Sequence, residues 1–351
     1  MDVFCFDRVS WEHSQVLYHA LAHLRREAFV LLRPATPYVC IGFHQDAEQE
    51  VDLEFTRANG IPVFRRETGG GAVYLDDGQL FYQLVLRRDH PQAPAGRAEF
   101  FGKFLQPVAE TFREFGVAAQ YKLVNDIVVN GCKISGNGAA EIEGMAVLVG
   151  NFILDFDYKR MSQVLRVPDE KFRDKVYKTL QENLTTIRHE TGWVPPIAQL
   201  EAAVVRRYEL LLGPLAPRTS LDAELEAKAT ELVAEMNTPE WLFANDRRRV
   251  HTREVKIREG VYVVQNVLKT PGGLIRATSV KQDGHLRDVH LSGDLFFYPA
   301  SSFPLLERAL EGLPADQAII AAIVQQFYRQ YSVESPGVQP EDLAQALVPT
   351  T

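Results

Sequence analysis

The stretch Arg65-Arg66-Glu67-Thr68-Gly69-Gly70-Gly71-Ala72-Val73-Tyr74, continued by Asp76-Asp77-Gly78, decides how the chain is read. It lies between two apolar segments, residues 61–64 and 80–86, so three consecutive glycines join two expected strands. Glycines let the main chain turn sharply and offer N–H groups to an anion, and Arg65 or Arg66 adds a planar fixed charge, which suits a cradle for phosphate or nucleotide. A plain hairpin bend uses the same residue types. What separates the two readings is a second constellation, Asn125-Asp126-Ile127-Val128-Val129-Asn130-Gly131-Cys132-Lys133-Ile134-Ser135-Gly136-Asn137-Gly138. Asn-Gly between alternating segments is a strong hairpin signal, so antiparallel strands are expected over 127–129 and 132–135. Alternation on the returning strand puts Lys133 and Ser135 on one face and Cys132 and Ile134 on the other. A lysine on a hairpin is ordinarily just solvated, so Lys133 alone decides nothing.

Composition sets the outer bounds. At 351 residues the chain exceeds the usual size of one core, and two domains are expected. With 46% hydrophobic and 24% charged residues it has an ordinary globular composition. The net charge of −8 argues against nucleic acid as a partner, while leaving room for a small anion held by a few cations. No apolar run is long enough to span a bilayer, and Met1-Asp2-Val3-Phe4 is not a basic leader, so no membrane is expected and the chain is placed in the cytoplasm. Cys5, Cys40 and Cys132 form neither a CxxC pair nor a zinc-spaced cluster.

From the start, periodicity predicts a helix over 11–26 and strands over 29–34 and 38–42, the second opening at Gly42 into Phe43-His44-Gln45-Asp46. A short helix over 51–59 ends at Asn59-Gly60, a strand runs over 78–88, and an aromatic-striped helix over 97–115. Residues 145–154 read as a long apolar strand broken by Gly150-Asn151. Helices are expected from Val194 through Leu212 and over 221–236, with a break at 213–217 between them. Farther on, strands are expected at 255–257, 262–267, 274–278, 285–291 and 295–298, and helices at 303–313 and 315–331. Arg247-Arg248-Arg249 is a basic run in the linker.

In this order and spacing, Arg65-Arg66-x-Thr68-Gly69-Gly70-Gly71-Ala72-Val73-Tyr74, Asn125-Asp126-Ile127, Lys133-Ile134-Ser135-Gly136 and Gly150-Asn151 resemble the lipoate–protein ligase A family, as does Ile41-Gly42-x-His44-Gln45-Asp46. The resemblance covers about residues 1–210, and the tail resembles the accessory domain fused to some of these ligases. It implies an α+β fold with mixed and antiparallel sheets flanked by helices, a class II synthetase-like ligase domain, plus a small α+β C-terminal domain. The implied domains are 1–240, a core of about 1–212 with a helical connector, and 241–351, an accessory domain that closes during adenylation.

The resemblance further implies that lipoate or octanoate and ATP give an acyl-adenylate, and that a lysine of a lipoyl-carrier protein then takes the acyl group. The carrier would be an E2 domain, an H protein or a specialised lipoate-binding protein. Lys133 would be the catalytic residue. Arg66, Thr68, Gly69, Gly70, Gly71, Ala72, Val73, Tyr74, Asn125, Asp126, Ser135, Gly136, Gly150 and Asn151 would line the ATP and acyl-adenylate site. Val39, Ile41, Gly42 and His44, with the early helix, would form an apolar acyl slot, and Asp126 would face Mg2+. ATP and Mg2+ are then co-substrate and metal, with no tightly bound prosthetic group, and the protein is expected to be a monomer. The chain departs from the family pattern at Leu75 and Val149, where histidine is common, at Ala140, where arginine is, and at Asn137-Gly138, usually Ser-Ala. Two other readings compete with the ligase: an octanoyl or lipoyl transferase working through a cysteine thioester, and a non-catalytic carrier-binding protein. A biotin ligase shares the fold but lacks this Thr-Gly-Gly-Gly turn.

Overall fold

The computed structural model of the chain describes residues 1–167, 170–246, 255–258 and 261–349, so Arg247, Arg248 and Arg249 lie outside the described residues. The chain divides into two units. The first comprises Met1–Ile41, Glu50–Glu67 and Ala72–Leu242. Its strands, in chain order, are β1 (Asp2–Val9), β2 (Ala28–Pro34), β3 (Tyr38–Ile41), β4 (Val63–Arg65), β5 (Val73–Leu75), β6 (Gln79–Arg87), β7 (Gln120–Lys122), β8 (Asp126–Val129), β9 (Cys132–Ser135), β10 (Asn137–Ile142), β11 (Met145–Ile153) and β12 (Ala216–Arg218). A six-stranded mixed sheet takes the order β10-β11-β6-β2-β1-β12, and two three-stranded sheets, β4-β3-β5 and β7-β8-β9, complete the unit. The expected mixed α+β fold is what the chain forms.

Strand β6 is central because its sequence is apolar on both faces. Its first eight residues are all buried. Leu80, Tyr82, Leu84 and Leu86 join the core built on the aromatic stripe of helix Arg97–Glu114, while Phe81 and Val85 join the core under helix α1 (Trp11–His23). A strand covered on both sides reads as a continuous hydrophobic run, as this one does. Helix α1 starts where Ser10 accepts a hydrogen bond from the His13 N–H.

The hairpin forms where Asn130-Gly131 predicts it. Both turn residues have positive φ, 51° and 86°, which is the two-residue turn that matches strand twist. The ladder slips once, however: Val128 faces Lys133 and Ile127 faces Ser135, so Ile134 is the extra residue of a bulge.

Three expectations are corrected. β11 is not broken at Gly150-Asn151 but pairs with β6 along its whole length, from Met145 against Arg87 to Ile153 against Gln79. The glycine serves a different purpose: a Cβ at 150 would run into the Tyr82 ring and hydroxyl and the Asn137 amide oxygen, its cross-strand neighbours. Residues 295–298 are not a strand; the Phe296 carbonyl accepts from the Ser335 hydroxyl, and Tyr298 makes an isolated bridge to Glu334. β1, β5, β7, β10 and β12 were not expected at all.

The second unit comprises Gly42–Gln49, Thr68–Gly71 and Phe243–Thr351. Its antiparallel sheet runs β13 (Val255–Arg258), β14 (Val261–Thr270), β15 (Gly273–Gln282) and β16 (His285–Gly293) in sequence order. Ile275, Ala277, Leu286, Val289 and Leu291 of this sheet form one core with the helices Phe303–Leu310, Gln317–Tyr331 and Pro340–Leu347.

Gly150→Ala should therefore destabilise the protein by about 1–3 kcal/mol in denaturant titrations, the usual cost of overpacking a core. Gly96→Ala, whose Cβ would meet no atom within 4 Å, should change stability by no more than about 0.5 kcal/mol.

Candidate active site

Lys133 is held at its main chain and at its amine. Its carbonyl accepts from Thr185 N at 2.9 Å, fixing the strand at its outer edge. Its Nζ lies 2.7 Å from Asp126 Oδ1, and both side chains are about one-third exposed. The lysine stem passes over Gly136, where a Cβ would sit 3.4 Å from Lys133 Cε. A residue with a side chain at 136 would compete for that space. The ammonium is thus oriented and remains open to an incoming anion.

A relay of amide hydrogen bonds ties this hairpin to the strand that leaves the glycine-rich stretch. Gly136 N–H donates to Asn151 Oδ1 at 2.8 Å, Asn151 Nδ2 donates to Gln79 Oε1 at 2.7 Å, and Gln79 Nε2 donates to the Tyr74 carbonyl at 3.1 Å. Around Gly150, the Tyr82 hydroxyl bonds Asn137 Oδ1, Ser135 Oγ donates to the same oxygen at 3.2 Å, and Asn137 Nδ2 donates to the Asn125 carbonyl at 2.8 Å. The structure therefore brings together Tyr74, Asn125, Asp126, Lys133, Ser135, Gly136, Gly150 and Asn151. Sequence reading missed Gln79, Tyr82 and Asn137 as parts of this network. A glutamine buried at the start of an apolar strand was the available signal, because a buried amide needs partners.

The two arginines of the glycine-rich stretch separate in function. Arg65 is buried, its Nε and Nη2 donate to the Leu242 carbonyl at 3.0 and 2.6 Å, and the Trp241 indole donates back to the Arg65 carbonyl at 2.8 Å. It anchors the segment ahead of Phe243. Arg66 turns the other way, toward β3: its Nη1 donates to the Cys40 carbonyl at 3.3 Å and approaches Cys40 Sγ at 3.6 Å.

Beside Arg66, Glu67 meets His19 Nδ1 on α1. Burial alone would raise the Glu67 carboxyl, but the imidazole, by charge and hydrogen bond, holds it below its ordinary value. Val39 and Ile41 of β3 are fully buried, as are Tyr38 and Cys40 between them.

Of the remaining expected residues, Gly42, His44, Thr68, Gly69, Gly70 and Gly71 belong to the second unit, and Ala72 and Val73 to the first. Within the second unit Gly42 and Gly70 are in close backbone contact, and a Cβ on Gly42 would run into the Gly70 carbonyl. Gly70 N–H donates to the Leu295 carbonyl at 3.3 Å. The His44 ring packs 4.4 Å from that of Phe303. The Thr68 hydroxyl is buried and has no hydrogen-bond partner among the described residues.

Neither Cys5 nor Cys40 has the surroundings of an activated nucleophile. Burial pushes Cys40 up, against the neighbouring Arg66, and burial followed by the Glu201 charge pushes Cys5 up to about 11. Cys132 Sγ donates to the Glu182 carbonyl at 3.3 Å, while Lys133 turns to Asp126. No group of three or more metal-type side chains stands together among the described residues.

Because Glu67 sits below the ordinary carboxylate range of about 4.3, its ionised contact with His19 stabilises the fold above that range and is lost as pH falls through the lower folded value. Glu67→Gln should lower the denaturant midpoint at pH 7, and the gap to wild type should close on acidification below about pH 4.

The family model for the lipoyl protein ligase A/B catalytic domain matches residues 8–209. Lipoate-protein ligase A subunit 1 of Thermoplasma acidophilum is 31% identical over 224 residues, which cover 60% of this chain and 83% of that protein. Octanoyltransferase LipM of Kyrpidia tusciae is 27% identical over 248 residues, covering 64% and 90%. Among solved structures, the bipartite lipoate protein ligase of Thermoplasma acidophilum, studied with its E2 lipoyl domain, superposes with a TM-score of 0.61 at 28% identity, covering 71% of this chain and 99% of that one. The close-packed Gly150 cross-strand position, the oriented Lys133 and the glycine-rich stretch thus stand in a chain that belongs to the lipoyl protein ligase A/B catalytic-domain family.

Proposed function

We propose that the protein is an ATP-dependent lipoate–protein ligase, with residues 1–240 as catalytic domain and 241–351 as accessory domain. The observation that carries this reading is the Lys133 ammonium held 2.7 Å from Asp126 and free to meet anions. In the first step an oxygen of the lipoate or octanoate carboxylate attacks the α-phosphorus of ATP, and pyrophosphate leaves. In the second, the ε-amine of a carrier lysine attacks the acyl carbon, the amide forms, and AMP leaves with the bonding pair. Both steps bring anionic oxygens together, and a fixed cation lowers the cost of that approach and of the charge on the departing phosphate.

Lys133 would supply that cation, and Arg66 and Thr68 would hold the carboxylate or phosphate. Gly69, Gly70, Gly71, Ala72, Val73 and Tyr74 would lie along the nucleotide, with Asn125, Ser135, Gly136, Gly150 and Asn151 shaping the adenylate side. Val39, Ile41, Gly42 and His44 would line the acyl chain. The described residues offer magnesium a single carboxylate here, Asp126, already facing Lys133, so that ion would arrive on the nucleotide phosphates rather than in a protein cage. The acceptor would be an E2-type lipoyl domain, the partner studied with the Thermoplasma ligase.

A second reading, octanoyl transfer through a cysteine thioester, is supported by the similarity to LipM. It needs an accessible, activated thiol, and burial disfavours that at Cys40. Lys133→Ala should reduce acid-dependent pyrophosphate release and carrier acylation by at least ~100-fold, the scale of losing one transition-state charge contact. Carrier acylation from an octanoyl thioester without ATP, abolished by Cys132→Ala or Cys40→Ala, would replace the ligase reading with the transferase.

A further inference from the structure

Gln79, the first residue of β6, is 1% exposed, and its amide is bonded at both ends. Its Nε2 faces acceptors, the Tyr74 carbonyl at 3.1 Å and Asp76 Oδ1 at 3.4 Å. Its Oε1 must then point the other way, where Asn151 Nδ2 donates to it at 2.7 Å. That bond settles the second amide in turn, and Asn151 presents its oxygen to the Gly136 N–H at 2.8 Å. With a backbone carbonyl at one end and a backbone N–H at the other, the two amides between them have one arrangement that satisfies every atom.

Strand register explains the reach. Gln79 stands opposite Ile153 and Phe81 opposite Asn151, so Gln79 and Asn151 are diagonal neighbours on one face of the β6–β11 ladder. Diagonal positions are about 7–8 Å apart, a gap that long side chains span. The far end of the relay lies beside the ammonium. A Cβ placed on Gly136 would be 3.4 Å from Lys133 Cε, 3.8 Å from its Nζ and 3.9 Å from Asn151 Oδ1. The amide oxygen and the lysine head therefore border the same small space. Turning the Asn151 amide over would bring its N–H groups toward a cation and would leave the Gly136 N–H without its acceptor.

We propose that Gln79 is a positioning residue for the adenylation step: by fixing the Asn151 amide it sets where the Lys133 ammonium stands, and it ties that place to the Tyr74 end of the glycine-rich stretch. The inference rests on the ligase reading. Gln79 acts through Asn151, Gly136 and Lys133, and neither the acid nor the nucleotide is assigned to it. A reacting group displaced by about 1 Å can lose on the order of 100-fold in rate, so a small movement of the ammonium is enough.

The test is Gln79→Met, which keeps the side-chain volume and removes both amide bonds. In the full chain with lipoate, ATP and Mg2+, kcat for pyrophosphate release should fall about 10–100-fold, while KM for ATP and for lipoate stays within about 3-fold of wild type. A second readout needs no turnover. After reductive 13C-methylation, the Lys133 signal, identified by its loss in Lys133→Arg, should move in ligand-free Gln79→Met, and those of Lys122 and Lys159 should not. A glutamine that serves packing alone would lower the melting temperature and leave kcat and the Lys133 signal unchanged, which overturns the inference. A loss confined to KM, or a lower kcat with the Lys133 signal unmoved, overturns it too. In each of these cases wild-type pyrophosphate release leaves the ligase reading standing. If wild type releases pyrophosphate with neither lipoate nor octanoate, that reading falls and takes the inference with it. Should Gln79→Met not fold, Gln79→Ser, which removes the same bonds and leaves room for water, takes its place. If neither folds, the glutamine serves folding and the inference falls.

Discussion

One missing side chain governs the geometry of the candidate site. At Gly150 the middle strand of three has no Cβ, and the Tyr82 hydroxyl and the Asn137 amide fill that space from either side. Asn137 can then reach the Asn125 carbonyl, and the residue after Asn125 is the carboxylate that orients Lys133. Position 150 thus acts on the ammonium through a chain of close-packed, hydrogen-bonded contacts. Interiors at crystal-like density transmit a displacement of this kind rather than absorb it.

The site is built mostly from amides and hydroxyls. Asn151, Gln79, Asn137, Asn125, Ser135 and Tyr82 give directional bonds without adding charge, and within the hairpin strands the formal charges are those of Lys133 and Asp126. Arg65 and Arg66 show the complementary economy. Two adjacent guanidinium groups of like charge are sent to opposite tasks, one tying Leu242 to β4 and the other facing β3.

Much of this was legible from local signals. Asn130-Gly131 fixed the hairpin because few residues other than these tolerate two successive positive φ angles, and the aromatic spacing of 97–114 fixed the helix that covers β6. The order of the glycine-rich, Asn-Asp and Lys-x-Ser-Gly segments was enough to place the chain in its family. What stayed hidden is what depends on pairing across distance. Asn137–Ile142 has Gly138-Ala139-Ala140 at its centre, weak strand formers that become a strand only because β11 lies beside them. Residues 295–298 have the composition of a strand, but carbonyls there are taken by Gly70 N–H and the Ser335 hydroxyl instead of a neighbouring strand. Gln79 and Gln83 look alike as polar interruptions in an apolar run, and only their partners tell that one is bonded at both ends and the other at one.

The main sheet of the first unit ends, on the side of β1, in a strand of only three residues, Ala216-Pro217-Arg218, all exposed. Proline offers no N–H to a visiting strand, and Arg218 bonds Asp2 on the strand beside it. A free edge is a template on which other chains can polymerise, and the length, the imide and the charge at this edge all work against that. The edge beside β1, which would otherwise invite fibrous self-association, is closed off by a scrap of chain on its way between two helices.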